Sequence, residues 1–442
     1  MRTLLITTAS ALALIATNAS AQMMQSSTIE QIGAANTATV DQTGGEEGVS
    51  DILQEGAANL AEVTQSEDPN GSNSFGTPAN IADIDQIGDN ARARVTQESD
   101  AAGGASNVAT ISQTSNGLPQ GTTGVPSGYS MNGRVIQSGS GNVSGIYQSG
   151  NPNQPAPGDG SDAGSGVTAR NDQYGATNNS SITQDVFLDD ANPYSDVDVT
   201  QIGSLNVSTV TQRGSDANVD VTQTGTMNTS DVFQGPLQEM NAEIAQTGND
   251  HASSVRQIAR TVTALVDQGG SGQTSDIRQL AQSRFAVADV DQFGADNVSD
   301  IEQRNVSADA IVRQSGAGDS SIILQTDGAD ASATVEQAGF GNASTINQTG
   351  DMQTASVTQY GSNSSSYIIQ GDSMGSGNTA TVLQTTDDNA GSGADDGLAG
   401  SYGSFISQNG IGNTAVLNQT VTSGNVSSIT QMGSANMATV NQ

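Results

Sequence analysis

A glutamine returns, mostly every eleven or twelve residues, from Gln31 to Gln442, and 30 of the 32 recurring glutamines have Val or Ile two places earlier. No other feature of the chain constrains its fold as strongly. A small residue stands two places before the β-branched one, so the local phrase is small, any, β-branched, any, Gln. Alternation of period two with β-branched enrichment marks a strand with two unlike faces. Gly two residues after many of the glutamines (Gly33, Gly203, Gly339, Gly350, Gly433) supplies a tight turn, and Asn five residues after (Asn36, Asn206, Asn342, Asn436) opens the next strand. A register kept from end to end is the signature of a repeat architecture.

Counting strands from Gln31 exposes a longer period. In odd strands the small residue is Ser in 14 of 16 and the β-branched one Ile in 13 of 16; in even strands they are Ala in 13 of 16 and Val in 13 of 16. The repeat is therefore about 22 residues, two strands per unit, and the chain holds 16 units. If each pair folds back so that two sheets face each other, Gln348 faces Gln353, Ile346 faces Ala355 and Ser344 faces Val357. Ile with Ala and Ser with Val each place five side-chain heavy atoms in the slot, which therefore keeps the constant width that close packing needs. The fold class expected is all-β: a β-solenoid of about 16 two-strand rungs, two facing parallel sheets in a cross-β arrangement, with long loop inserts. The inward Gln31, Gln42, Gln314, Gln325, Gln337, Gln348, Gln359, Gln370, Gln419, Gln431 and Gln442, with Asn36, Asn342, Asn413 and Asn436, are expected to pair amides along the axis as a structural ladder.

Low hydrophobicity (34%) with 46 acidic against 12 basic residues would by itself lean towards disorder, and the kept register argues against it. All the basic residues are Arg, and Cys is absent. The N-terminus, with Arg2, an apolar run from Leu4 to Ala16 and then Ala19-Ser20-Ala21, reads as a secretory signal peptide over 1–21. That leaves residues 22–442 as one secreted solenoid domain with no membrane span and a formal charge of −35 (46 acidic against 11 Arg). Inserts near 66–79, 98–106, 114–132, 149–168, 185–195 and 385–402 are rich in Gly, Ser, Pro, Asn and Asp, as surface loops are. The Ser/Ile and Ala/Val phase resumes after each one.

The phrase Gln31-Ile-Gly33-Ala-Ala-Asn36-Thr-Ala38-Thr-Val-Asp-Gln42 resembles the curlin repeat, Gln-x-Gly-x-Gly-Asn-x-Ala-x-x-x-Gln. Gln337-Ala-Gly339-Phe-Gly341-Asn342-Ala-Ser344-Thr-Ile-Asn-Gln348 matches it except for Ser at the Ala position. The resemblance covers Ile29 to Gln442. It implies a secreted subunit of bacterial curli, amyloid fibres of the biofilm matrix, whose partners are further copies of itself, a nucleator subunit and an outer-membrane secretion pore. The 16 units, the long inserts and the lack of Lys depart from the usual member.

The residues argue against other classes. Outward Asp and Glu read as a solvated face, with Arg278 near Glu302 and Asp291 near Arg313 as compensating pairs. The acidic loops Asp387-Asp388-Asn389 and Asp395-Asp396-Gly397 lack the pattern of a calcium β-roll or an EF-hand. His251 has no nucleophile or metal partner around it and stands where Asn or Ser is usual. Neither a catalytic, a cofactor nor a metal site is expected, and the acidic charge argues against nucleic acid. The alternative to a self-assembling matrix fibre is a monomeric or surface-attached adhesin. An ice-binding solenoid would need an outward Thr array, and the positions three before the even-strand glutamines run Thr39, Glu62, Arg94, Arg134, Arg170, Asp198.

Overall fold

The computed structural model describes residues 25–43, 48–67, 80–99, 105–115, 130–151, 166–187, 195–280, 283–304, 307–371, 376–385, 403–420 and 424–442. The signal-peptide region and the greater part of each insert lie outside the described residues. The chain falls into two compact units, Met1–Glu239 and Met240–Gln442. Strands and turns make up both units, with no helix among the described residues.

In the first unit the odd strands β1 (Ser26–Ala34), β3 (Val49–Ala57), β5 (Ile81–Ile87), β7 (Val108–Ser115), β9 (Val143–Asn151), β11 (Asn179–Phe187), β13 (Val207–Gln212) and β15 (Thr229–Gln234) form one sheet in that order. The even strands β2 (Thr37–Thr43), β4 (Leu60–Glu67), β6 (Arg92–Ser99), β8 (Ser130–Ser140), β10 (Gly166–Ala176), β12 (Ser195–Ser204) and β14 (Ala217–Thr226) form the other. The second unit repeats the plan. Its even sheet runs β16 (Met240–Asn249), β18 (Val262–Ser271), β20 (Val287–Ala295), β22 (Asp309–Gln314), β24 (Ser332–Gln337), β26 (Thr354–Gln359), β28 (Thr379–Gln384), β30 (Thr414–Gln419), β32 (Met437–Asn441). Its odd sheet runs β17 (Ala252–Gln257), β19 (Thr274–Gln279), β21 (Val298–Gln303), β23 (Ser320–Thr326), β25 (Ala343–Thr349), β27 (Ser365–Gln370), β29 (Ser404–Ile411), β31 (Ser427–Ser434). Each unit is a β-solenoid of two-strand rungs, the fold class read from the sequence.

Pairing within each sheet is parallel and in register. Gln31 lies over Gln54, Ile29 over Ile52 and Ser27 over Ser50; Gln337 lies over Gln359, Val335 over Val357 and Ala333 over Ala355. Sequence parity thus becomes sheet identity. In β26 Ala355, Val357 and Gln359 are buried while Thr354, Ser356 and Thr358 point to solvent, the alternation that a pleated strand imposes. Gly133 stands at the Ala position of β8, and a Cβ there would lie 2.9 Å from Cγ2 of Ile111 on β7. That distance places the small residue of the even strand against the large one of the odd strand. One pair of exceptions is compensated: Val210 of β13 replaces Ile where Val219 of β14, facing it, replaces Ala, and both are buried. Two Val add six heavy atoms where Ile and Ala add five, a change of one methyl. The inward Ser acts as filler, since the hydroxyls of Ser50, Ser180, Ser275, Ser321, Ser344 and Ser366 are buried without a hydrogen-bond partner.

The turns explain the glycine two residues after glutamine. Gly203 has φ of 118°, and a Cβ on it would come within 2.0 Å of the Gly225 carbonyl oxygen in the next rung. Two residues on, the chain enters the left-handed region, with Leu205 at φ 59° and Ala35 at φ 58°. An L-residue there costs roughly 1–2 kcal/mol.

Candidate functional site

The recurring glutamines line the slot between the facing sheets. In the first unit Gln31 Nε2 donates to Gln54 Oε1 at 2.6 Å on the odd sheet, and Gln42 Nε2 to Gln65 Oε1 at 2.7 Å on the even sheet. In the second unit the even ladder runs Gln314 to Gln337 (2.8 Å), Gln337 to Gln359 (2.7 Å), Gln359 to Gln384 (2.7 Å) and Gln384 to Gln419 (2.8 Å). Its last step, Gln419 to Gln442, is longer at 3.4 Å. The odd ladder runs Gln325 to Gln348, Gln348 to Gln370 and Gln370 to Gln408, each 2.9 Å, then Gln408 to Gln431 at 2.8 Å.

A carboxamide has two N–H groups, and the second one crosses the slot. Gln348 donates to the Ser332 carbonyl at 2.9 Å, Gln325 to that of Asp309 at 3.0 Å and Gln370 to that of Thr354 at 2.9 Å. One side chain therefore ties rung to rung and sheet to sheet. Sequence reasoning reached the axial bond alone. The signal for the second was the place of Gln at the strand end, where the facing strand begins and its first carbonyl comes within reach.

The asparagines occupy the corners of the rung. Asn36, Asn413 and Asn436 lie where an odd strand passes to an even one, and Asn342 where an even strand passes to an odd one. In Asn36, Asn413 and Asn342 the Oδ1 accepts the backbone N–H of the equivalent residue one rung on: Asn59 N to Asn36 at 3.1 Å, Asn436 N to Asn413 at 3.1 Å and Ser364 N to Asn342 at 3.0 Å. Each Nδ2 donates to a glycine carbonyl of the neighbouring turn, Gly56 for Asn36 (3.0 Å), Gly361 for Asn342 (2.8 Å) and Gly433 for Asn413 (3.0 Å). Asn436, in the final rung, turns its Nδ2 to the Met432 carbonyl at 2.8 Å.

Two titratable residues stand in the Asn342 corner series. His251 is buried, its Nδ1 accepts the Gln273 N–H (3.3 Å) and its Nε2 lies 3.2 Å from the Thr247 carbonyl. Burial pushes its pKa below the ordinary histidine value, against the opposing pull of its bond to Thr247. Asp319 is buried too. Its Oδ1 accepts the Asn342 N–H at 2.9 Å, while its Oδ2, where asparagine carries a donor, has no partner. Burial raises its pKa above the usual carboxylate range, more than the bonds from Asn342 lower it.

On the outer faces Arg278 reaches Asp300 at 2.6 Å and Glu302 at 3.6 Å, and Arg313 reaches Asp291 at 3.3 Å. Among the described residues no group of three or more His, Asp or Glu is placed to hold a metal ion, and no helix is long and apolar enough to cross a membrane. The acidic loops at 387–389 and 395–397 lie outside the described residues.

The family model described as the Curlin associated repeat matches residues 195–225 and 328–361, one stretch in each unit. No curated protein matches the chain.

Proposed function

We propose that this chain, two stretches of which match the curlin-repeat family model, is a secreted, self-assembling subunit of a curli-like extracellular matrix fibre, with a part in adhesion. Its site, on this reading, is the rung itself. The glutamines and asparagines act as structural ladders, and the same bonds that join rung to rung within a unit join one copy to the next. A single solenoid domain after a removed signal peptide, exported through an outer-membrane pore and started by a nucleator subunit, completes the proposal. No catalytic role belongs to it.

The observation that carries it is the in-register parallel ladder, in which each rung repeats the bonds of the one before it. Ala415 and Leu417 of β30 are fully buried, whereas their ladder mates Ala438 and Val440 of β32 stay half-exposed, and Gln442 is exposed. At the edge of the first unit Ile29 and Gln31 are likewise half-exposed, while Ile52 and Gln54 beneath them are buried. An uncovered strand with unpaired N–H and C=O groups and an open apolar slot is a template for another strand of the same kind. Seeded growth tests it. Val440→Asp places a charge in the open slot and should slow elongation from that edge at least tenfold while leaving circular dichroism unchanged; elongation at the unaltered rate would remove β32 as the growing edge. The adhesin reading predicts no seeded growth from either protein.

A further inference from the structure

The outer faces of the first unit carry two opposed charge ladders. On the even sheet Arg94, Arg134 and Arg170 stand in register on β6, β8 and β10. Arg94 pairs with Glu62 at 2.9 Å, and Arg170 pairs with Asp172 and, at 3.4 Å, with Asp198. Arg134, the middle member, has no carboxylate partner among the described residues, and its Nε is buried without a hydrogen-bond acceptor. In a chain of formal charge −34 this is a cation stacked between two others, its attraction to the Asp198 carboxylate made without an ion pair. On the odd sheet Asp51 and Asp83 stand in register on β3 and β5, with Asp85 beside them. Burial, and then the neighbouring carboxylates, raise the pKa of Asp83 and Asp85.

The two ladders share one line through the solenoid. Position two before an odd glutamine faces position four before an even one, as the approach of Gly133 to Ile111 shows. Position three before the odd glutamine therefore lies directly behind position three before the even one. Asp51 and Asp83 hold the first, and Arg94, Arg134 and Arg170 the second. Translating a second copy along the sheet normal by about 20 Å, one sheet spacing within the solenoid and one between copies, with a slide of one to two rungs (about 5–10 Å), lays the aspartates over the arginines. Both ladders repeat at the rung spacing, so two aspartates fit the two gaps between three arginines.

We propose that two copies of this chain associate face to face, the Asp51–Asp83 ladder of one seated on the Arg94–Arg134–Arg170 ladder of the other. The contact is heterologous, each copy offering one face of each sign, so it can continue into a lateral stack. It widens an assembly where edge stacking lengthens it, and it does not depend on the fibre reading. Charge pairing of this kind weakens with salt, whereas edge growth of an acidic chain quickens with it.

Sedimentation of the mature protein at 10 mM and 300 mM salt tests the proposal, with Arg134→Glu and Asp83→Arg as variants and circular dichroism as the folding control. The wild type should pair at low salt and separate at high salt, and each variant alone should pair at least tenfold more weakly. An equimolar mixture of the variants should pair like the wild type, because it unites the intact aspartate face of Arg134→Glu with the intact arginine face of Asp83→Arg. A wild type that is monomeric at low salt, variants that pair as it does, or a mixture that stays monomeric would each overturn it.

Discussion

Gln348→Leu removes the ladder amide with the most completely resolved partners. Gln348 Oε1 accepts from Gln325 Nε2 at 2.9 Å, and its Nε2 donates to Gln370 Oε1 at 2.9 Å and to the Ser332 carbonyl at 2.9 Å. Leucine nearly preserves the volume and makes none of these bonds. It leaves one N–H and two oxygens unpaired in a buried slot, at about 1–3 kcal/mol each, so the loss should be on the order of 3–9 kcal/mol. Asn347→Leu, one residue away on the outer face, should change stability by less than about 0.5 kcal/mol. Solenoids unfold as coupled nearest-neighbour rungs, and local hydrogen exchange is therefore the informative assay, with the denaturation midpoint as a check. Protection should fall in β25 and in its neighbours β23 and β27 for Gln348→Leu alone. Equal loss of protection in the two variants would refute the assignment of the ladder as the main polar bond of the slot.

The slot width gives a second contrast: Ala355→Ile should cost about 1–3 kcal/mol by overfilling, whereas Ser356→Ile, facing solvent, should be near neutral in thermal melts. The corner residues give opposite pH dependences. His251, with its pKa lowered by burial, binds protons better when unfolded, so its contribution is complete above the ordinary histidine value and declines as pH falls below it; His251→Asn should abolish that decline in a stability–pH curve. Asp319, with its pKa raised, contributes most below the ordinary carboxylate value and loses that contribution as pH rises through the shifted one. Asp319→Asn, which supplies the missing donor, should therefore stabilise by about 1–2 kcal/mol at neutral pH, and by less in acid.

The legible part of the fold was what depends on period and volume. Strand, parity and register follow from two-residue alternation and the Ser/Ile against Ala/Val exchange, because a one-residue slip would turn every buried side chain outward. The compensating pairs of Arg278 with Glu302 and Arg313 with Asp291 were visible once the rung length was known. Features that depend on three-dimensional approach were not. The cross-slot bond of Gln348 needs the distance to a backbone carbonyl, and Leu205 gives no sequence sign that it sits at φ 59°. Asn171, one of the two exceptions to the β-branched rule, turns out to donate to the Ser144 hydroxyl at 2.6 Å across the slot. Arg134 was visible as one member of a run and not as the unpaired one, since pairing is a matter of which carboxylates lie alongside.

X-ray fibre diffraction of the assembled mature protein tests the central claim most directly. Copies that add rung upon rung should give an axial reflection at about 4.7–4.8 Å and an equatorial one near 10 Å, from fibres that bind amyloid dyes. A protein that stays monomeric for days at high concentration and moderate salt, or fibres without the axial reflection, would contradict assembly through the rung.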